Sequence, residues 1–321
     1  MKPVLARNAD FSRFAHNLRP NPYPLKATIL KKTALPGIHS ASGVEVLGDR
    51  IYIVGDDSAL LYVLDLDWQP AGTIRLFDSP VPSHQPIPKA QKPDLEALTV
   101  LPLGGETLLL AIGSGSQENR QDAFVVHPGT GAVQRHSLAP LYDHLRTLPG
   151  VVGTRLLNLE GAVVTGPEIV FLQRGNVSGT NVAIGYDTQQ FVAWLTAGGP
   201  LPRPVVRSFV LPTVEGYAAG FSGAAPLPSR PGAFLFTASV EATTDEILDG
   251  EMLGSFAGIA RLDQPGDLSG RCVPILHHGQ AYPGKVESIC LLTETPTTLR
   301  ALAVTDADGG DSELLLLEIE I

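Results

Sequence analysis

Four glutamates recur at one position of a repeated segment, Glu45, Glu96, Glu160 and Glu287, with Ser222 in a further copy. The intervals between these marks are 51, 64, 62 and 65 residues. Arranged around an axis, such repeats turn their carboxylates toward one another. Two carboxylates about 8 Å apart at an effective dielectric of about 20 repel by about 2 kcal/mol, and a ring of four contains six such pairs. Protonation, neighbouring Lys or Arg, or a cation between the oxygens must answer that repulsion. Ca²⁺ suits several carboxylates at a wide, flexible site and does not demand the octahedron of Mg²⁺. Glu45, Glu96, Glu160 and Glu287 are therefore the candidate metal ligands. Glu96 and Glu160 are the candidate catalytic groups that would position water on the ion. Lys92, Arg174, Asp57 and Asp306, beside the glutamates or at the ends of later strands, are the candidate substrate-binding residues. A second reading stays open, in which repeated polar residues at a strand start simply hydrogen-bond exposed amides as a feature of the fold.

The elements that must position these residues are short strands. Each copy runs into an apolar stretch, a turn, and a second apolar run at 51–54, 108–112, 169–172, 234–237 or 301–304, ending in small or polar residues. Third strands follow, as at 60–64 and 314–317, and usually a fourth. Four strands per repeat, stretched by insertions, is the pattern of propeller blades, and the continuous apolar runs fit strands covered on both faces. The last copy ends after its third strand, whereas residues 26–35 read as a strand belonging to no complete copy. Docking that strand onto the last copy removes an exposed edge. The expected fold is an all-β, five-bladed β-propeller spanning residues 26–321 as a single domain, closed by an N-terminal strand and preceded by an irregular segment at 1–25. The alternative is six-bladed, with the sixth blade formed before residue 26.

In a propeller the loops leading into each blade share one channel mouth with the loops between second and third strands. The mouth would then gather Asp56, Asp57, Ser114, Arg174, Asn176, Glu241, Asp306 and Asp308, together with Lys92, Asp94, Arg120 and Lys285. Loops leading into four copies also carry His39, His84, His144 and the pair His277 and His278.

Composition narrows the partners. Across 321 residues, 23 Lys+Arg stand against 33 Asp+Glu, a formal charge of −10. Such a surface repels phosphate backbones and anionic headgroups, so neither nucleic acid nor membrane is expected as a partner. At 44% hydrophobic and 17% charged the chain has ample material for a core, while 33 Gly and 27 Pro interrupt the apolar runs and favour turns over long helices. The first residues hold no apolar stretch long enough for a signal peptide, and a cytoplasmic location is expected. Cys272 and Cys290 are then expected reduced and buried as small apolar residues. G-x-S-x-G, H-E-x-x-H and G-x-x-x-x-G-K-[ST] are all absent, which removes the signatures of serine-triad hydrolysis, zinc proteolysis and nucleotide triphosphate chemistry.

With Lys92-Pro93-Asp94-Leu95-Glu96-Ala97-Leu98, Asn158-Leu159-Glu160-Gly161-Ala162, Arg174-Gly175-Asn176 and Ala303-Val304-Thr305-Asp306, the chain from about Leu25 onward resembles a family of uncharacterised bacterial β-propeller proteins. More distantly it is similar to phytase-like and esterase-like propellers. In the phytase-like group an acidic channel mouth binds calcium ions that hold the substrate phosphate. The resemblance implies that role for Glu45, Glu96, Glu160 and Glu287, with Arg174 and Lys92 as anion-binding groups; Ser222 departs from the pattern. Two functions follow as expectations. One is a metal-dependent hydrolase of a small phosphoester, ester or lactone with a divalent cation, Ca²⁺ foremost. The other is a non-catalytic scaffold binding a small ligand or a partner protein through the same face. An ion with an open coordination position favours the first, and a mouth filled by direct Lys or Arg pairs favours the second.

Overall fold

A computed structural model describes residues 25–79, 81–83, 85–152, 156–177, 181–244, 250–306 and 310–321. The segment before residue 25, His84 and Asp308 lie outside the described residues. The fold is all-β and propeller-like, with strands pairing in antiparallel groups of four. The first group is Ala41–Leu47, Arg50–Gly55, Leu60–Asp65 and Pro70–Arg75; the second is Leu95–Leu103, Glu106–Gly113, Asp122–His127 and Ala132–Ser137. Leu159–Thr165, Glu168–Gln173, Asn181–Asp187 and Val205–Val210 make the third. Gly220–Pro226, Ala233–Ala242, Glu251–Arg261 and Cys272–His277 make the fourth. In the next group Lys285–Glu294, Thr298–Asp306 and Glu313–Glu320 come from the C-terminal end of the chain, and Lys26–Ala34 supplies the fourth strand. The first strand of each group packs against the first strand of the next, and Lys285–Glu294 packs back on Ala41–Leu47, so the inner strands close a ring.

Small residues permit that ring. Every inner strand carries a bulge near its start, at Ser42, Glu96, Glu160, Ser222 and Glu287. The residue after each bulge is Gly43, Ala97, Gly161, Gly223 or Ser288. A Cβ on Gly223 would stand 2.6 Å from the Cα of Ser288, and one on Gly43 would stand 2.9 Å from the amide nitrogen of Leu98. No larger side chain fits between strands this close. Val44 N–H also donates to Ser288 Oγ at 3.1 Å, binding the last group to the first.

Away from the axis, aliphatic and aromatic side chains fill the space between neighbouring groups. Val54, Leu61, Leu98, Leu109 and Phe124 pack between the first and second, and Leu172, Phe209, Phe221 and Phe236 between the third and fourth. Both faces of the strands are covered, which is why they read as unbroken apolar runs. Among the described residues two α-helices interrupt the strand pattern, Ala139–Arg146 and Thr188–Ala197. Each is held by its buried face, Leu141, Tyr142 and Leu145 in one and Phe191 and Leu195 in the other. Asp187 caps the second through Gln190 N–H at 2.9 Å, and Gly198 ends it at φ 68°.

Lys26–Ala34 is paired along both edges. It runs antiparallel to Glu313–Glu320 and parallel to Cys272–His277 at Ala27 and Thr28, so the fourth group and the C-terminal group form one continuous sheet. Cys272 and Cys290 are buried and unbridged. Among the described residues no helix is long and apolar enough to cross a membrane. Because two sheet edges depend on residues 26–34, removing residues 1–36 is expected to lower the melting temperature sharply or render the protein insoluble. Unchanged melting of the truncated chain, measured by calorimetry, would exclude this closure.

Candidate functional site

The bulges fix the register that matters for chemistry, because a bulged residue leaves the ladder and turns toward the axis. Glu96, Glu160 and Glu287 occupy it, and Ser42 and Ser222 occupy it in the other two groups. Glu45 does not. It lies three residues further along its strand, in register with Tyr52, so aligning it with the other glutamates misplaces the first copy. Its Oε1 accepts Val46 N–H at 3.0 Å, and burial pushes its carboxyl up from 4.5 to about 7. Glu45 is thus separated from the other three expected metal ligands.

Glu96, Glu160 and Glu287 converge on a small cavity of about 30 Å³, lined also by Ser40, Ser42, Asp56, Lys285 and Asp306. Asp57, expected at the mouth, accepts Ser40 Oγ–H at 3.2 Å and faces a separate recess with Gly37, His39 and Tyr62. Among the described residues no histidine lines the central cavity. The expected candidates did not include Ser40 or Ser42.

Two webs of ion pairs surround the cavity. On one side Arg174 reaches Glu160 at 2.9 Å, Glu241 at 3.3 Å and Glu287 at 3.9 Å, while Lys285 reaches Glu241 at 2.9 Å and Glu287 at 2.8 Å. On the other, Lys92 bridges Asp56 and Asp94, the latter at 2.9 Å, and Arg120 holds Asp94 at 2.7 Å. Asp94 adopts φ 54°, a left-handed conformation that Asp tolerates better than most residues, and it also accepts Ser114 Oγ–H. Burial opposes ionisation of Asp94 and Glu241, but their cations win and hold both carboxyls below the usual range.

Charge does not balance. Asp56, Asp94, Glu96, Glu160, Glu241, Glu287 and Asp306 face Lys92, Arg120, Arg174 and Lys285, a surplus of three negative charges if all are ionised. Burial, followed by the charges of Asp94, Glu160 and Asp56, raises Glu96 well above 4.5. Burial likewise lifts Glu160 to about 7 and Asp56 to about 6, despite Arg174 and Lys92. Both oxygens of Glu160 are engaged, one by Arg174 and the other by Asn158 at 2.6 Å. Glu287 Oε2 and Asp56 Oδ1 are buried without a hydrogen-bond partner. One oxygen each of Asp56, Asp94 and Glu96 also lies within 4.8 Å of the others, a spacing that suits a shared cation.

A family model covering residues 37–319 matches the chain, and its description is a family of unknown function (DUF6929). The chain belongs to this family. No curated protein matches it. Among solved structures it is similar to Myxococcus xanthus glutaminyl cyclase, at 11% identity and TM-score 0.48, over 92% of this chain and 96% of that one. It is similar to the PQQ-bound aldose sugar dehydrogenase of Streptomyces coelicolor at 14% identity and TM-score 0.42, over 94% and 100% of the two chains. A third is the Cps50 (Swd1) β-propeller domain of Myceliophteria thermophila, at 11% and 0.36, over 86% and 70%.

The isolated carboxyl of Glu45 yields a pH prediction for the DUF6929 chain. Its folded-state value, about 7, lies above its ordinary 4.5, so the folded state holds the proton more tightly. Its contribution is fully present below pH 4.5 and is lost as pH rises through 7, amounting to about 3 kcal/mol at the upper end. Glu45→Gln keeps the acceptor for Val46 N–H and removes the titration. Denaturant unfolding should find the variant increasingly more stable than the wild type from pH 4.5 to 7, with a constant gap above. Parallel pH profiles would refute the assignment.

Proposed function

We propose that the protein is a five-bladed propeller whose central cavity binds one hard divalent cation, Ca²⁺ ahead of Mg²⁺, and that it acts as a ligand-binding scaffold through that mouth. The observation that carries this reading is the convergence on an ion-sized space of buried carboxylates, two of whose oxygens accept no hydrogen bond. Asp56 Oδ1 and Glu287 Oε2 accept no hydrogen bond, Arg174 standing 3.9 Å from the latter, and Glu96 and Asp306 line the same cavity. Glu160, fully occupied by Arg174 and Asn158, supports the ligands rather than joining them. Hard oxygen donors without His or Cys are the set that Ca²⁺ and Mg²⁺ prefer over softer metals.

Size and charge weigh against hydrolysis inside the cavity. A space of about 30 Å³ admits an ion or one or two waters, whereas organic ligands occupy sites of roughly 300–1,000 Å³. Lys92 is held between two carboxylates and Arg174 among three, so neither of these expected anion-binding groups is free for a phosphate. The phytase-like reading therefore needs a substrate that meets the ion from outside the mouth.

Ca²⁺, Mg²⁺ and Mn²⁺ titrations of the melting temperature test the proposal. At a hundred times its dissociation constant, an ion that binds only the folded state adds about 2.7 kcal/mol. Glu96→Gln should abolish the shift and leave the apo protein folded, while Glu45→Gln should keep it. If none of the three ions raises the melting temperature, the cation site is refuted. Ion-dependent turnover of p-nitrophenyl phosphate or acetate, lost in Glu96→Gln, would instead establish the hydrolase.

A further inference from the structure

The third group departs from its neighbours in how it joins its last two strands. Four residues suffice in the first and second groups, 66–69 and 128–131, but the third uses seventeen, 188–204. These form the helix Thr188–Ala197 and a segment with Pro200, Pro202 and Pro204. Insertions of this length in compact domains are commonly functional. Here the insertion walls a groove of about 640 Å³ at the end of the group away from the acidic mouth, where Glu168 pairs with Asp187 and Val205 with Gly185. That is about twenty times the central cavity and within the range of organic-ligand sites.

The lining is mostly apolar: Pro167, Ala193, Leu201, Pro202 and Val205, the last 50% exposed although it is a β-branched strand residue. The fixed φ of Pro200 and Pro202 preorganises the wall, which lowers the entropic cost of binding. Charge on the groove is decided by what is already neutralised. Glu168 is neutralised bidentately by Arg207 at 2.8 and 2.9 Å, whereas Asp187, exposed and capping the helix through Gln190 N–H, keeps its negative charge. Arg203, also lining the groove, is exposed and makes no ion pair among the described residues. In a chain of charge −10, nine of the eleven other described arginines reach a carboxylate within 4 Å; Arg75 and Arg271 share the unpaired state of Arg203, but of the three only Arg203 lines the groove. A guanidinium binds a carboxylate through two parallel N–H donors.

We propose that this groove binds a small amphipathic monocarboxylate, its apolar body along Leu201, Pro202 and Val205 and its carboxylate on Arg203. Decanoate is the probe and decanol its uncharged control, with binding followed by calorimetry on the full-length protein. Decanoate should bind with a stoichiometry of one. Arg203→Gln should weaken it about tenfold or more, the loss expected for one charge-assisted pair, without moving the melting temperature of this exposed site. Val205→Asp should remove binding, whereas Glu96→Gln should leave it intact. Absence of decanoate binding, equal binding by Arg203→Gln, or decanol binding as tightly as decanoate would each overturn the assignment.

Discussion

Close approach of the inner strands is the constraint on which the rest of the structure depends. With glycine, alanine or serine after each bulge, the backbones of adjacent groups come within van der Waals contact, and a Cβ at Gly223 or Gly43 would collide. This contact narrows the axis until only an ion-sized space is left at the mouth. It also forces the bulged residues to face one another. Packing density here is a backbone property, so the side chains at the bulges can be chosen for polarity without cost to the core.

That freedom has an electrostatic consequence. Seven carboxyls sit where water is scarce, and burial first, then neighbouring carboxylates, lifts Glu96, Glu160 and Asp56 above their ordinary values. Breaking such a network by removing one partner costs about 3–5 kcal/mol, because it strands a buried charge. Arg174 and Lys285 are shared among Glu160, Glu241 and Glu287, which spreads two positive charges over three acids from three different groups. The network therefore fastens the groups to one another and still leaves oxygens over.

The strands were legible because period and punctuation agree. Runs such as 51–54 and 301–304, bounded by glycine, aspartate and proline, fall within Arg50–Gly55 and Thr298–Asp306, and the orphan strand at 26–35 is observed as Lys26–Ala34. Register within the first copy was not legible from charge. Glu45 stands near the expected position, but the mark shared by all copies is a polar residue followed by a small one, as in Ser42-Gly43, Glu96-Ala97 and Glu287-Ser288. The two helices were hidden for another reason. Each has one short buried face of two or three residues, and only tertiary packing makes such a segment helical.

The serines at two bulges explain why the ring is not uniformly acidic. Ser42 donates to the carbonyl of Leu95, and Ser222 donates to the carbonyl of Val286 at 2.6 Å. Those carbonyls belong to the residues immediately before Glu96 and Glu287, two of the bulged glutamates that line the cavity. Each serine thus ties down the peptide that aims the glutamate of the next group, whereas Glu160 is aimed by Arg174 and Asn158. A glutamate at position 42 or 222 would add a further buried charge and release that peptide together. Two serines thus hold the strands that present Glu96 and Glu287, while Glu160 is fixed by its own hydrogen-bond partners, so each glutamate at a bulge has a named support.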